Sequence, residues 1–137
     1  MAKKRETKDT GPFLTSLKNY GWFRKINDTV QVGIPDILGC RNGKFVGIEV
    51  KSIAEVPEDG LVPPKSSHTF SSRQVSDLKS IRSEEGDAYG VVICGKVAVF
   101  VLPVEISEEG QVNWHSIPEE RIVAKEGGLW KLGKIFK

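Results

Sequence analysis

A chain of 137 residues with 39% hydrophobic and 28% charged side chains fits one globular domain, spanning 1–137, and is too short for two ordinary ones. It contains no apolar run of about 18 residues, which excludes a transmembrane helix, and the basic Met1-Ala2-Lys3-Lys4-Arg5 has no apolar stretch behind it. The expected location is therefore cytoplasmic, or the host cytoplasm for a phage-encoded chain, with no membrane partner.

Residues 1–11 are polar and read as a mobile basic N-terminal arm ending at Gly11-Pro12. Phe13, Leu14 and Leu17 follow at helical spacing and predict one short amphipathic helix that stops near Tyr20-Gly21, where Gly caps readily. A first strand is expected over 22–26, then a polar Asn27-Asp28-Thr29 turn. Two apolar runs, 34–40 and 45–51, flank Asn42-Gly43, a dipeptide in which both residues accept the positive φ of a type I′ turn; this predicts a β-hairpin. Residues 52–70, with Pro57, Gly60, Pro63 and Pro64, lack periodicity, and loops this long in compact domains carry function or stay disordered. A helix then starts at Ser71-Ser72-Arg73-Gln74 with Val75, Leu78 and Ile81 as its apolar stripe, ending at Gly86. Strands at 89–94 and 97–102 are joined by a Gly95-Lys96 turn. Residues 103–137 read as a C-terminal extension in which Trp114, Ile117, Trp130, Leu132 and Ile135 supply packing.

In a two-residue hairpin centred on Asn42-Gly43, Arg41 faces Lys44, Ile37 faces Ile48 and Asp36 faces Glu49. Cross-strand neighbours have Cβ atoms roughly 4.5–5.5 Å apart, so two carboxylates there repel unless something compensates. A divalent cation does so, because hard ions such as Mg²⁺ take carboxylate oxygens while keeping several waters. Lys51, two residues beyond Glu49, shares its face of the strand. The alternative for these residues is a solvent-facing charge pair, which suits either Glu49 or Lys51 alone better than it suits all three together.

The string Gly33-Ile34-Pro35-Asp36-Ile37-Leu38, followed by Glu49-Val50-Lys51 and by Gln74 at a helix start, resembles the PD-(D/E)XK nucleases, the restriction-endonuclease-like superfamily, and within it the VRR-NUC branch and the archaeal-type Holliday junction resolvases. The resemblance runs from about Tyr20 to Phe100. It implies an α/β fold with an αβββαβ core, a central mixed sheet flanked by helices, and a Mg²⁺-dependent endodeoxyribonuclease, with Mn²⁺ as a substitute. Asp36 and Glu49 would hold the metal, the main-chain carbonyl of Val50 would complete the site, and Lys51 would orient the nucleophile or stabilise developing charge. Gln74 corresponds to a helix-borne Gln near the attacked phosphate, although Ser71-x-x-Gln74 is also a capping box. Glu6 matches the acidic residue that many relatives place on the first helix as an extra metal ligand, with Asp9 as a competitor. The expected substrate is branched or structured DNA in recombination, repair or replication, and a homodimer is plausible because resolvases make two cuts. A site-specific homing or restriction-type cutter is the alternative enzyme. A DNA-binding module without catalysis is the alternative from another class.

Charge distribution agrees with a DNA partner. Residues 1–25 hold seven lysines and arginines against Glu6 and Asp9, and residues 121–137 hold five against Glu126, while the middle of the chain is acidic. Lys3, Lys4, Arg5, Lys65 and Arg73, with the Ser66-Ser67-His68-Thr69 run, are candidates for phosphate contact. Trp22 and Trp114 offer stacking surfaces, with core packing the favoured use. Cys40 and Cys94 lack metal-ligand spacing and read as reduced, buried small hydrophobes. His68 and His115 have no partner at zinc spacing, and neither a P-loop nor a Gly-x-Ser-x-Gly elbow is present.

Overall fold

The computed structural model describes residues 2–26, 34–66 and 68–137, the first six as backbone only. In chain order the elements are α1 (Ala2–Leu17), β1 (Trp22–Lys25), β2 (Ile37–Arg41), β3 (Lys44–Ile53), β4 (Leu61–Val62), α2 (Ser72–Ser83), β5 (Asp87–Cys94), β6 (Val97–Val101), β7 (Val112–Asn113), β8 (Ile122–Glu126) and β9 (Leu129–Trp130). Three short 3-10 turns link the last strands. The first seven of these, with β4 set aside, follow the αβββαβ order with one further strand. No helix among the described residues is long and apolar enough to cross a membrane.

Seven strands form a mixed sheet in the order β1-β2-β3-β5-β6-β8-β9. The β3–β5 pair is parallel, and α2 lies in the crossover such a pair requires; every other neighbour is antiparallel. The β2–β3 hairpin has the expected turn, with Asn42 at φ 52° and Gly43 at φ 78°, and the expected register: Ile37 faces Ile48 and Arg41 faces Lys44. Gly95, at φ 62°, likewise turns β5 into β6.

Alternation divides the sheet into two faces. Phe23, Ile37, Val46, Ile48, Val50, Val91, Ile93 and Phe100 face α1, where Phe13 and Leu17 meet Trp130, Leu132 and Phe136. The opposite face carries Val92, Val99 and Val101, covered by Phe70, Val62, Val112 and Ile117, with α2 packed on β3 and β5. Central strand β3 is thus buried on both sides from Val46 to Ile53.

Several expectations are corrected by long-range packing. The N-terminal arm is helical: α1 runs through Gly11-Pro12 instead of starting after it. Pro12 removes one helical N–H, at a cost of about 3 kcal/mol in a helix interior. Full burial of Phe13 and Leu17, worth about 1.5–3 kcal/mol each, offsets that. Ser16 adds a tie to the far end of the chain, its Oγ donating to the Pro12 carbonyl and accepting the Trp130 N–H at 2.9 Å. The stretch 52–70 is not a free loop, because β4 pairs with β7 and the Gln111 side-chain amide donates to the Pro63 carbonyl at 2.8 Å. The C-terminal extension adds two strands to the main sheet and closes the α1 core.

Cys40 and Trp22 are exposed, not buried, and Cys94 is half-buried. Cys40 and Trp22 pair across β1–β2, at the edge of the sheet. Trp114 packs partly against the second core, as expected. The Asn27-Asp28-Thr29 turn and Ser67 lie outside the described residues.

Candidate active site

Hairpin register sets the site. Beyond the Ile37–Ile48 pair, the next residues are Asp36 and Glu49, and the Asp36 carbonyl accepts the Ile26 N–H at 2.7 Å, so β1 is still in register there. Asp36 Oδ2 accepts the main-chain N–H of Val50 at 3.0 Å, which folds the aspartate back over the end of the hairpin towards Glu49. The β2–β3 ladder ends at Ile37 and Ile48, and the chain bends away at Asp36: Pro35 lies over Gly47, where an added Cβ would sit 3.2 Å from its ring.

Glu49 is 3% exposed and Lys51 5%, so the solvent-facing charge pair does not exist. Both are buried because β3 is central. Lys51 Nζ lies 3.6 Å from Glu49 Oε2 and 5.6 Å from the centre of the Phe70 ring. Phe70 in turn occupies the space above Gly90, the β5 partner of Glu49: a Cβ at Gly90 would sit 2.8 Å from the ring. Phe70 was not singled out in the sequence. It comes from the aperiodic stretch, and its N–H bond to the Gly110 carbonyl at 3.0 Å, the Gly90 gap and the second core place it.

Gln74 reaches the site from α2. Its Nε2 donates to Glu49 Oε2 at 2.8 Å, while its Oε1 accepts the Ser71 N–H at 2.8 Å and its own N–H bonds Ser71 Oγ at 3.1 Å. Capping and site contact, posed as alternatives in the sequence, are made together.

The electrostatics of the pair are unbalanced. Burial, then the neighbouring Asp36 charge and a hydrogen bond to Asp36, push the Glu49 carboxyl up to about 9, and Lys51 offsets this only in part. Glu49 Oε1 is buried without a hydrogen-bond partner. The two statements describe one arrangement: an ionised Glu49 has no donor at Oε1, and a protonated one gives its proton towards Asp36. An orphaned hard oxygen beside a second carboxylate fits a divalent cation. Among the described residues no cluster of three or more His, Cys, Asp or Glu side chains forms a fuller set of metal ligands.

The remaining candidates are dispersed. Arg73 is exposed in the first turn of α2 beside Gln74, and Lys65 is exposed in the turn after Pro63-Pro64. Lys3, Lys4, Arg5 and Glu6 fall on the α1 segment described as backbone only, so their side chains lie outside the described residues. His115 is exposed on a short 3-10 turn.

No protein-family model matches the sequence, and no curated protein matches it either. The architecture does have a counterpart. The structure is similar to that of Archaeoglobus fulgidus Hjc, a Holliday junction resolvase from an archaeal hyperthermophile, with a TM-score of 0.58 over 84% of this chain and 91% of that one. This chain has the mixed α/β, restriction-endonuclease-like fold. At 20% identity the likeness is one of architecture. Within this fold, the acidic pair sits where the second strand of the hairpin passes under α2.

Proposed function

We propose that this chain is a metal-dependent endodeoxyribonuclease that cuts branched or structured DNA, in the manner of a Holliday junction resolvase, during recombination, repair or replication. The observation that carries the reading is the forced pairing of Asp36 with a buried Glu49 whose carboxyl is pushed up to about 9. A fold gains nothing in stability from burying two repelling acids, and such perturbation concentrates at functional sites. The likeness in fold to Hjc, a Holliday junction resolvase, supports this choice of substrate class.

Asp36, Glu49 and the Val50 carbonyl would hold one Mg²⁺ or Mn²⁺, which supplies Lewis acidity at the phosphate and acidifies the attacking water. The chain's own residues do the rest. Lys51, desolvated beside Glu49, places an ammonium where negative charge grows on the phosphoryl oxygens. Gln74 fixes the Glu49 rotamer from a helix start that is itself capped. Phe70 walls off water behind Lys51. The attacking water gives a proton to solvent as its oxygen bonds to phosphorus, the bond from phosphorus to the 3′ oxygen breaks, and the departing oxygen takes a proton from solvent. Arg73, Lys65 and the basic start of α1 are the cations available to flanking phosphates.

The test is cleavage of supercoiled plasmid, linear duplex, single strand and a four-way junction with and without Mg²⁺. Metal-dependent cutting, strongest on the junction and abolished in Glu49→Gln and in Lys51→Ala, supports the proposal. Binding without cutting on every substrate replaces it with a DNA-binding module. Sedimentation of the chain with a junction shows whether two copies act together.

A further inference from the structure

Among the described residues, one row of the sheet is bare. Across the β1-β2-β3 face that also bears Asp36, Glu49 and Lys51, Trp22 pairs with Cys40 and Cys40 with Phe45. Trp22 is 58% exposed and Phe45 48%, and Cys40 is exposed between them. Large exposed aromatics in a contiguous row mark an interaction surface more often than chance. The Arg24 guanidinium lies 5.4 Å from the Trp22 ring centre, and Lys18, Gly21, Trp22, Phe23 and Arg24 line a shallow depression of about 240 Å³.

Charge decides the occupant. Residues 18–26 and 37–48 contain Lys18, Arg24, Lys25, Arg41 and Lys44 and no acid at all. Arg41 is already engaged by the Lys137 main-chain oxygen and the Phe136 ring, and Lys44 and Phe45 share their depression with Glu84 and Glu85. The uncompensated positive field therefore lies at the Trp22 end, with Lys18, Arg24 and Lys25. A two-fold contact between copies of this chain would bring these same cations together, which disfavours a self-interface.

We propose that Trp22, flanked by Arg24 and Lys18, is a stacking platform for an unpaired base of DNA, with the two cations on the adjoining phosphates. Non-specific single-strand sites combine these two components, an aromatic face and a basic track. Trp22 is four residues along β1 from the position paired with Asp36, about 13 Å, and Glu49 lies two strands, about 10 Å, across from that position, which puts Trp22 about 16 Å from Glu49. A strand opened at the cutting site can reach it along the same face of the sheet. The proposal deepens the nuclease reading by naming unpaired DNA next to the scissile phosphate as what this surface selects.

The experiment is fluorescence anisotropy with labelled single-stranded, blunt-duplex and overhang-bearing oligonucleotides in chelator, so that no cutting takes place. Trp22→Ala weakens binding of single-stranded and overhang DNA by about tenfold or more and leaves blunt duplex unchanged, while Trp22→Phe, which keeps a ring, retains most of the affinity. Arg24→Ala with Lys18→Ala weakens all three and flattens the salt dependence by about one to two in log–log slope. Wild-type affinity of Trp22→Ala for unpaired DNA overturns the proposal, as does an equal loss on blunt duplex. So does a wild-type dimer that Trp22→Ala dissociates in sedimentation, which would make the row an interface between copies. The Trp22→Ala effect stands even if no cleavage is found, and cleavage with unchanged Trp22→Ala binding sinks this proposal alone.

Discussion

Gln74 binds Glu49 and caps its own helix with the two ends of one amide: Nε2 donates to Glu49 Oε2 at 2.8 Å and Oε1 accepts the Ser71 N–H at 2.8 Å. The helix start and the acidic site are therefore rigidly coupled. Gln74→Ala breaks both bonds. The expected result is a loss of about 1 kcal/mol in stability, as for other helix caps, and a 10–100-fold drop in cleavage rate, as for groups that orient a metal ligand. Ser71→Ala is the control: denaturant melts show a similar stability loss, whereas the cleavage assay shows a much smaller defect, since the Gln74–Glu49 bond survives.

Glu49→Gln is expected to stabilise the metal-free protein. In the unfolded chain Glu49 ionises above about 4.5, but in the fold it keeps its proton up to about 9. Its contribution to stability is thus fully present below about 4.5 and is lost progressively as pH rises towards 9. Glutamine carries no such penalty and still accepts the Gln74 amide. The variant's advantage is therefore near zero at pH 4, grows with pH and reaches the order of a few kcal/mol by pH 9. Thermal melts of the two proteins across that range in chelator measure it, and parallel pH profiles refute it.

Metal binding should displace that proton. Below about 9 the Glu49 carboxyl is protonated in the metal-free fold, so each Mg²⁺ or Mn²⁺ taken up releases close to one proton, and apparent affinity rises with pH until it levels off near 9. Calorimetry in buffers of different ionisation enthalpy reads the proton number directly. In Asp36→Asn the Glu49 value falls but stays high, because burial, its largest cause, remains.

Arg121 and Glu105 give the opposite pH sign. The guanidinium meets the carboxylate through two contacts of 2.6 Å and also bonds the Phe100 carbonyl at 3.0 Å, tying the segment after β6 to the sheet. The Arg121 hydrogen bonds hold the Glu105 carboxyl below the usual range. Glu105 then stabilises the fold above about 4.5 and loses that effect as pH falls through its depressed value. The pair is partly solvated, so Glu105→Gln should cost only about 1 kcal/mol at pH 7 and progressively less as the pH falls below about 4.5. Urea melts of the two proteins over a descending pH series check the sign.

The legible part of this protein is local. Asn42-Gly43 dictates a type I′ turn, the turn dictates register, and register alone brings Asp36 opposite Glu49 with Lys51 on the same face, because side chains alternate with a period of two. Ser71 and Gln74 are three residues apart and form their capping box without help from the rest of the chain. Burial is not local. Glu49 and Lys51 look like surface charges on an alternating strand and are buried because α2 and Phe70 close over β3. Trp22 and Cys40 look like core residues and are exposed because no element among the described residues covers the end of their face. The helix that continues through Pro12 does so against its own propensity, held by Phe13 and Leu17 in the core and by Ser16 bonded to Trp130, 114 residues away. Turn chemistry acts through neighbouring dihedrals, whereas burial depends on which distant surfaces meet, and that choice belongs to the tertiary structure.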